Sequence, residues 1–243
     1  MYDFKWHNNG KIKICIGLGT RPEIIRLAAV IKRCQEYFDA CIIYYNQNWD
    51  KQLSTVFWED FELKNNASEY GPDILVPVIG DNLGVTCGNI LGRSYELLSE
   101  LKPDAYLVLG DTNSCLSAIS AKRLHIPLFH MEAGNRCKDE CLPEETNRRI
   151  VDVISDVNLP YSEPARKYLH ELGMPKERTY VTGSPMAEVL RMNLEKIENS
   201  DVLERLGLKP NNYILLSAHR EENIDTDKNF ESLFTAINAL AEK

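Results

Sequence analysis

Long apolar runs and an excess of positive charge are both missing from this 243-residue sequence. No segment stays apolar over the roughly 20 residues that a membrane-spanning helix needs, and the N-terminus, MYDFKWHNNGKIK, is not that of a signal peptide. With 28 lysines and arginines against 36 aspartates and glutamates, the formal net charge is −8. We therefore expect no nucleic-acid or membrane partner, since both attract clustered cations. An anionic small ligand is still compatible with this charge, because it responds to local arginines.

Paired cysteines are missing as well. The seven cysteines form an odd set without a C-x-x-C pair, so we expect neither a disulfide framework nor a zinc site. Only Cys137 and Cys141 lie close together in sequence. Scattered thiols fit a reducing compartment, and we expect a cytoplasmic protein. An apolar content of 44% and a charged content of 26% are typical of a globular chain, whose length allows one or two domains.

Short β-type runs alternate with helical stretches, which predicts an α/β fold with a parallel sheet flanked by helices. Amphipathic spacing predicts helices over 23–37 and 85–101, and a later helix is predicted over 230–240. The polar region 64–81, with its proline-containing turns, is predicted to be a loop. The predicted strands cover residues 12–16, 40–45, 105–109, 127–130, 156–159, 178–181 and 213–217.

Polar groups follow four of the predicted strands. They are GLGTRPE at 17–23, GDTNS at 110–114, HME at 130–132 and SAHR at 217–220. Ligands of open α/β sheets bind outside the carboxyl ends of the strands. The four groups together therefore predict a ligand site at that edge of the sheet.

The first of these groups is similar to a dinucleotide-binding loop but lacks two of its parts. Pro22 replaces the third glycine of G-x-G-x-x-G, and the second strand ends on Asn46 where an acidic residue is needed, so no NAD site is expected. Thr20 and Glu23 have the spacing of a helix capping box. The segment is either a helix cap alone or an anion site, in which the helix N-terminus and Arg21 attract a phosphate or carboxylate.

Carboxylates and arginines are concentrated between residues 130 and 149. Glu132 follows a strand, and Glu144, Arg148 and other charged residues follow in PEETNRR. Carboxylates from separate elements, with arginines beside them, suit proton transfer on an anionic substrate. The alternative is a solvated loop and helix face, because charge runs usually face water.

Three further polar residues have equally ordinary alternatives. Asp111, or Thr112 beside it, can simply cap the helix that begins near Ser114. His219 can be an ordinary surface or core histidine rather than a ligand-binding one. Gln47 can belong to a polar turn.

Taken in order, seven motifs resemble those of the non-hydrolysing UDP-N-acetylglucosamine 2-epimerase family. They are GTRPEIIR (19–26), NQNWD (46–50), GDTNS (110–114), HMEAGNR (130–136), PEETNRR (143–149), VTGSP (181–185) and SAHREEN (217–223). The matches span nearly the whole chain with the family's spacing. The wording MEAGNRC and LPEETNRRIVD most resembles the branch that acts on UDP-linked 2-acetamido-2,6-dideoxy-L-hexoses and ends in UDP-N-acetyl-L-fucosamine.

The resemblance implies a fold of the glycosyltransferase-B type, with an active site between two Rossmann-like domains. It implies an isomerase. Simple removal and return of the C2 proton would be very hard, because C2 is not next to a carbonyl group, so the family instead removes the C2 proton and expels UDP from C1. The resulting 2-acetamidoglycal takes UDP back with protonation from the other face. Such a reaction needs a base, an acid on the opposite face and cations near the pyrophosphate, but no metal or nicotinamide cofactor. A homodimer is also implied.

The resemblance also assigns roles to residues of this sequence. Three carboxylates would act as acid or base: Asp111, Glu132 and Glu144. Three side chains would bind the diphosphate or stabilise its charge: Arg21, Arg148 and His219. Of these, His219 is counted among the catalytic residues together with the three carboxylates. Arg26 stands where the family frequently has a lysine, which keeps the charge and changes the geometry. Gln47 matches a position that binds a regulatory UDP-sugar in some members, although Tyr45-Asn46 replaces the usual Thr-Gly before it.

The expected domain organisation is a Rossmann-like domain over residues 1–185 and an incomplete, C-terminally truncated start of a UDP-binding domain over 186–243. With most of the UDP-binding surface missing, the chain is expected to show little or no epimerase activity. Three alternatives stay open: a hydrolysing epimerase, a glycosyltransferase of the same architecture, and an inactive remnant or dimerisation domain. The acid-rich cluster around Glu132 and Glu144 disfavours the glycosyltransferase.

Overall fold

The computed structural model describes residues 3–46, 51–139, 142–216 and 227–241. The chain divides into two compact units, Met1–Leu194 and Glu195–Lys243. The first unit contains a six-stranded sheet in the order β3-β2-β1-β4-β5-β6, and every neighbouring pair is parallel. Its strands are β1 Lys13–Leu18, β2 Asp39–Asn46, β3 Ile74–Pro77, β4 Ala105–Leu109, β5 Leu128–Met131 and β6 Val157–Leu159. The predicted Rossmann-like α/β class is confirmed.

Helices connect the strands and cover both faces of the sheet. The described helices of the first unit are α1 Arg21–Tyr37, α2 Lys51–Asp60, α3 Leu83–Leu101, α4 Ser117–Arg123, α5 Pro143–Ile154, α6 Glu163–Glu171 and α7 Met186–Met192. Two short 3₁₀ helices lie at Asn113–Leu116 and Lys176–Arg178. The two helices predicted over 23–37 and 85–101 are thus confirmed as α1 and α3, with starts two residues earlier.

Each face of the sheet has its own apolar core. On one face, α1 packs against β1 and β2 through residues such as Ile24, Leu27 and Ile31, which are fully buried. On the other face, α3 and α4 cover the same strands and β4. Burying one such side chain contributes about 1.5–3 kcal/mol to folding. Strands covered on both faces are apolar throughout, which explains the continuous run in β2.

The first unit continues beyond residue 185, where a domain boundary was expected. Helix α7 packs against α1, and its Val189 is buried in the same core as Ile31. The chain from Met186 to Leu194 therefore belongs to the first compact unit.

Three elements differ from the sequence-based expectations. The predicted loop over 64–81 contains β3, whose Ile74 and Val76 are buried. Its terminal Pro77 is tolerated because β3 is the edge strand of the sheet that the described residues form. Residues 178–181 form no strand, because only a single bridge, Asn158 to Thr179, joins them to the sheet. Residues 213–216 are irregular and exposed, with Leu215 at 88% exposure and no strand pairing among the described residues, while Ser217 lies outside them.

The described part of the second unit contains the helices Val202–Arg205 and Asp227–Ala241. A short helix, Leu194–Glu198, begins at the boundary between the two units. The helix predicted over 230–240 is confirmed within Asp227–Ala241, where the rings of Phe230 and Phe234 lie 4.5 Å apart. Across the described ranges, no helix is both long and apolar enough to cross a membrane.

Candidate active site

The strand order brings three polar loops together at one edge of the sheet. Strands β1 and β4 are neighbours, and the strand order changes direction between them, since β2 and β3 lie on one side of β1 and β5 and β6 lie beyond β4 on the other. Open α/β sheets form a crevice at such a position, outside the carboxyl ends of the strands. Gly110 follows β4 with φ +70°, and Glu132 follows β5 with φ +64°. A Cβ atom built on Gly110 would lie 3.3 Å from Glu132 Oε2. The Glu132 carboxylate therefore lies against the backbone that leads into Asp111.

Asp111 is held by helix α5. Its carboxylate forms an ion pair with Arg148, and both side chains are largely buried. Arg148 also pairs with Glu145 at 2.7 Å. Asn147 donates a hydrogen bond to the Asp111 carbonyl at 2.9 Å and another to Asn113 at 3.1 Å. Thr112 occupies the N-cap position of the 3₁₀ helix that follows, but its side chain forms no capping hydrogen bond, and the Asp111 carboxylate pairs with Arg148.

Glu132 has an arginine of its own. Arg26 of α1 donates to Glu132 Oε2 at 2.5 Å, and Asn135 donates to Oε1 at 3.3 Å. Burial raises the pKa of Glu132, and the charge of Asp111 raises it further, whereas Arg26 and Arg148 oppose the shift. A carboxyl group with a raised pKa exchanges protons more readily near neutral pH, as general acid–base catalysis requires.

Glu23 links the first loop to the Asp111 loop. Its Oε2 accepts hydrogen bonds from the Thr20 amide at 2.7 Å, which is the expected capping-box contact, and from the Gly19 amide at 3.0 Å. Its Oε1 accepts from the Ser114 hydroxyl at 2.9 Å, and Thr112 donates to Oε2 at 3.2 Å. Burial raises the pKa of Glu23, although these hydrogen bonds partly offset it. Helix capping accounts for the contact of Glu23 with Thr20 but not for its contacts with Thr112 and Ser114.

The two adjacent glutamates of PEETNRR differ in environment. Glu144 is exposed on the first turn of α5, and no hydrogen bond or ion pair to it occurs among the described residues. Glu145 is buried and accepts from Arg148 at 2.7 Å, from Arg149 at 2.8 Å and from the Cys137 amide at 3.0 Å. The sequence had singled out Glu144. The helical spacing i, i+3 and i, i+4 from Glu145 to the two arginines was the signal for the buried residue.

Of the other predicted site residues, only Arg21 lies among the described residues, and it is not in this cluster. Arg21 is exposed at the start of α1, where its guanidinium lies 5.8 Å from the centre of the Phe57 ring. Gln47 and His219 lie outside the described residues. Over the described part of the chain, no group of three or more His, Cys, Asp or Glu side chains is arranged to hold a metal ion.

Comparisons with known proteins give one consistent match. Residues 32–243 match the family model described as UDP-N-acetylglucosamine 2-epimerase. A Methanococcus maripaludis protein of that name is 33% identical over 237 residues, covering 95% of this chain and 62% of that protein.

Solved structures agree with the sequence match. The UDP-N-acetylglucosamine 2-epimerase from Rickettsia bellii is 41% identical with a TM-score of 0.85, covering 96% of this chain and 59% of that one. The Methanocaldococcus jannaschii UDP-GlcNAc 2-epimerase, solved in complex with UDP-GlcNAc and UDP, is 30% identical with a TM-score of 0.85, covering 95% and 63% respectively. This chain thus spans less than two thirds of the length of each of these relatives.

Proposed function

This chain belongs to the UDP-N-acetylglucosamine 2-epimerase family, and we propose that it takes part in inverting C2 of a UDP-linked 2-acetamido sugar. The reaction would be non-hydrolysing, so that the product stays linked to UDP. We assign it to the synthesis of surface polysaccharide precursors in the cytoplasm. The names of the relatives, and the UDP-GlcNAc bound to one of them, support this substrate class.

The proposed chemistry proceeds through elimination and re-addition. A carboxylate takes the proton from C2, the electron pair forms the C1–C2 double bond, and the C1–O bond breaks as UDP leaves with its electrons. The UDP oxygen then attacks C1 again while an acid on the opposite face delivers a proton to C2. The atoms of substrate and product are the same, and only the configuration at C2 has changed.

The observation that carries this proposal is the pair of carboxylates at neighbouring strand ends, each held by its own arginine. Asp111 pairs with Arg148, and Glu132 pairs with Arg26. Burial raises the pKa of Glu132, which suits it to give or take a proton near neutral pH. We propose that these two carboxylates serve the two faces of C2.

The other roles follow from the family resemblance. Glu144 would be the third acid–base carboxylate, and its exposure on the first turn of α5 leaves it accessible to a substrate. Arg21, Arg148 and His219 would stabilise the charge that develops on the diphosphate. Gln47 would help to bind a second UDP-sugar.

The domain organisation and assembly belong to the same proposal. We propose that the first unit supplies the proton-transferring carboxylates and that the chain beyond it begins a UDP-binding domain. A homodimer is proposed from the resemblance. The motif wording around residues 131–137 and 142–152 supports a UDP-linked 6-deoxy-L-hexosamine as substrate beside UDP-N-acetylglucosamine.

The test follows the C2 hydrogen in D₂O. The protein is incubated separately with UDP-N-acetylglucosamine and with the UDP-linked 6-deoxy-L-talo analogue, and products are followed by NMR. When the chain is completed with a second domain, we expect a nucleotide-linked epimer with deuterium at C2, whereas the chain alone should show little or no turnover. Epimerisation without deuterium would contradict the elimination route, and release of free sugar would favour a hydrolysing epimerase. UDP binding without turnover by the completed protein would favour an inactive domain.

Variants identify the proton-transferring groups in the same assay. Asp111→Asn, Glu132→Gln and Glu144→Gln should each lower the rate by on the order of 10²-fold, since general acid–base groups contribute about that much. Glu163→Gln is the matched control, because Glu163 also lies on the first turn of a helix and its side chain is 65% exposed. A rate equal to wild type in any of the three variants would remove that residue from the acid–base set.

A further inference from the structure

A fully buried histidine connects the Asp111 loop to helix α5. His130 is the third residue of β5, and none of its side chain reaches solvent. Its Nε2 lies 2.8 Å from the carbonyl oxygen of Gly110, the residue before Asp111. Its Nδ1 lies 2.9 Å from Oδ1 of Asp152, which α5 supplies. One imidazole ring therefore spans the space between the two elements that hold Asp111.

Asp152 in turn holds the loop that carries Glu132. The Gly134 amide lies 3.1 Å from Oδ1 and 3.2 Å from Oδ2 of Asp152. Arg136 donates to Oδ2 at 2.8 Å and also to the carbonyl oxygen of Asn135 at 2.5 Å. Burial would raise the pKa of Asp152, but the contacts with His130 and Arg136 outweigh burial and hold that pKa below its usual value.

The simpler interpretation is a structural ion pair that only stabilises the fold. Buried ion pairs are a weak source of stability, because desolvation cancels much of their attraction. The partners here are also specific: they are the backbone of Gly110 and Gly134 and the side chain of Arg136. All three lie in the segments that carry the two carboxylates.

The conformation of the Glu132 loop gives a reason for such support. Glu132 has φ +64° and Gly134 has φ +77°, so both lie in the left-handed region. A non-glycine residue is strained there and needs external contacts to persist. Asp152 supplies such contacts to the amide of Gly134, which lies two residues after Glu132.

We propose that His130 and Asp152 are positioning residues that hold the carboxylates of Asp111 and Glu132 at a fixed separation. The pair sets the two loops against each other through Gly110 and Gly134, without touching the substrate. This role in catalysis rests on the proposed function, because it matters only if both carboxylates act on one sugar carbon. A misplacement of about 1 Å can cost on the order of 10²-fold in rate.

The chain offers a matched control at the other end of the same strand. Asp156 accepts a hydrogen bond from the Leu128 amide at 2.9 Å and pairs with Lys122 at 2.5 Å. Like Asp152, it accepts a hydrogen bond from a backbone amide and pairs with a cation, but it does so at the amino end of β5 rather than beyond its carboxyl end. Asp152→Asn and Asp156→Asn each remove one charge and keep the size of the side chain.

The first measurement is amide hydrogen exchange by NMR, which needs no enzymatic activity. In Asp152→Asn, the amides of Gly110, Glu132 and Gly134 should exchange at least about tenfold faster than in wild type, while Leu128 stays protected. In Asp156→Asn, only the protection near Leu128 should fall. Unchanged exchange at Gly110 and Glu132, or equal effects of both variants at those amides, would overturn the proposal. If Asp152→Asn does not fold, His130→Gln is measured with the same expectation at Gly110.

The second measurement separates positioning from stability. In the C2 epimerisation assay, Asp152→Asn should lower kcat at least about tenfold and leave KM for the UDP-sugar within about twofold. Asp156→Asn should leave both unchanged. An equal loss of kcat in the two variants would mean that Asp152 acts only through stability. A wild-type protein that shows no turnover even when completed with a second domain would count against the proposed function, while hydrogen exchange would still decide whether the pair holds the two loops.

Discussion

Gly134 is the position where a single methyl group should disturb the candidate site most clearly. The residue has φ +77°, and a Cβ atom built on it would lie 2.4 Å from the carbonyl oxygen of Ala165 and 2.9 Å from Leu169 Cγ. Ala165 belongs to the backbone of α6, so the overlap cannot be relieved by rotating a side chain. Gly134→Ala must therefore shift the Glu132 loop or the helix.

The expected size of the effect comes from two terms. A left-handed backbone conformation costs an L-residue about 1–2 kcal/mol relative to glycine. Overpacking a tight site adds about 1–3 kcal/mol. Gly173→Ala isolates the first term, because Gly173 has φ +83° but no atom lies within 4 Å of the Cβ position. We expect a loss of about 2–5 kcal/mol for Gly134→Ala and about 1–2 kcal/mol for Gly173→Ala.

Urea unfolding followed by far-UV circular dichroism measures this difference. The loss of unfolding free energy in Gly134→Ala should clearly exceed that in Gly173→Ala, and its midpoint should fall accordingly. Equal losses in the two variants would mean that the 132–136 loop is not pressed against α6 in solution. The geometry on which the positioning of Glu132 depends would then be wrong.

Two further predictions concern charges at the site. Arg148→Met should lower the unfolding free energy by about 3–5 kcal/mol, because it leaves the largely buried carboxylate of Asp111 without its cation and removes one of the two arginines that pair with Glu145. Arg149→Met, at a side chain that is 52% exposed, should cost at most about 1 kcal/mol, and equal losses of the two variants in urea titrations would contradict this. The lowered pKa of Asp152 contributes stability that is complete above its usual value of 3.8 and is lost as the pH falls through the folded-state pKa. Unfolding free energy should therefore fall more steeply below about pH 4 in wild type than in Asp152→Asn, and parallel curves would refute this.

The location of the site could be predicted because it depends on topology. Alternation of strands and helices predicts a parallel sheet, and a parallel sheet collects the residues after its strands at one edge. Asp111 and Glu132 follow neighbouring strands and were placed together by this reasoning alone. Their arginine partners were named as well, since Arg26 and Arg148 came from the motifs, but which arginine would pair with which carboxylate was not predicted.

The errors in the fold came from segments whose structure depends on a neighbour. Strand β3 is short and ends in proline, and its pairing with the edge of β2 forms only in the folded sheet. Residues 213–216 have strand-forming side chains, yet a strand needs a partner for its backbone, and no pairing is present there among the described residues. Composition indicates a capacity to form a strand, whereas the available partner decides whether it forms.

The choice between Glu144 and Glu145 depended on the rotation of one helix. Adjacent helical residues point about 100° apart, so only one of two consecutive glutamates can face the loops. Glu145, Arg148 and Asp152 are spaced i, i+3 and i+7, which places them on one side of α5, and all three contact the loops around the two carboxylates. A polar stripe at apolar spacing, continuing into the helix beyond the family motif, was the sequence signal for both Glu145 and Asp152. It indicates that α5 is buried against the candidate site through charged side chains, and that its rotation fixes the positions of the loops that carry Asp111 and Glu132.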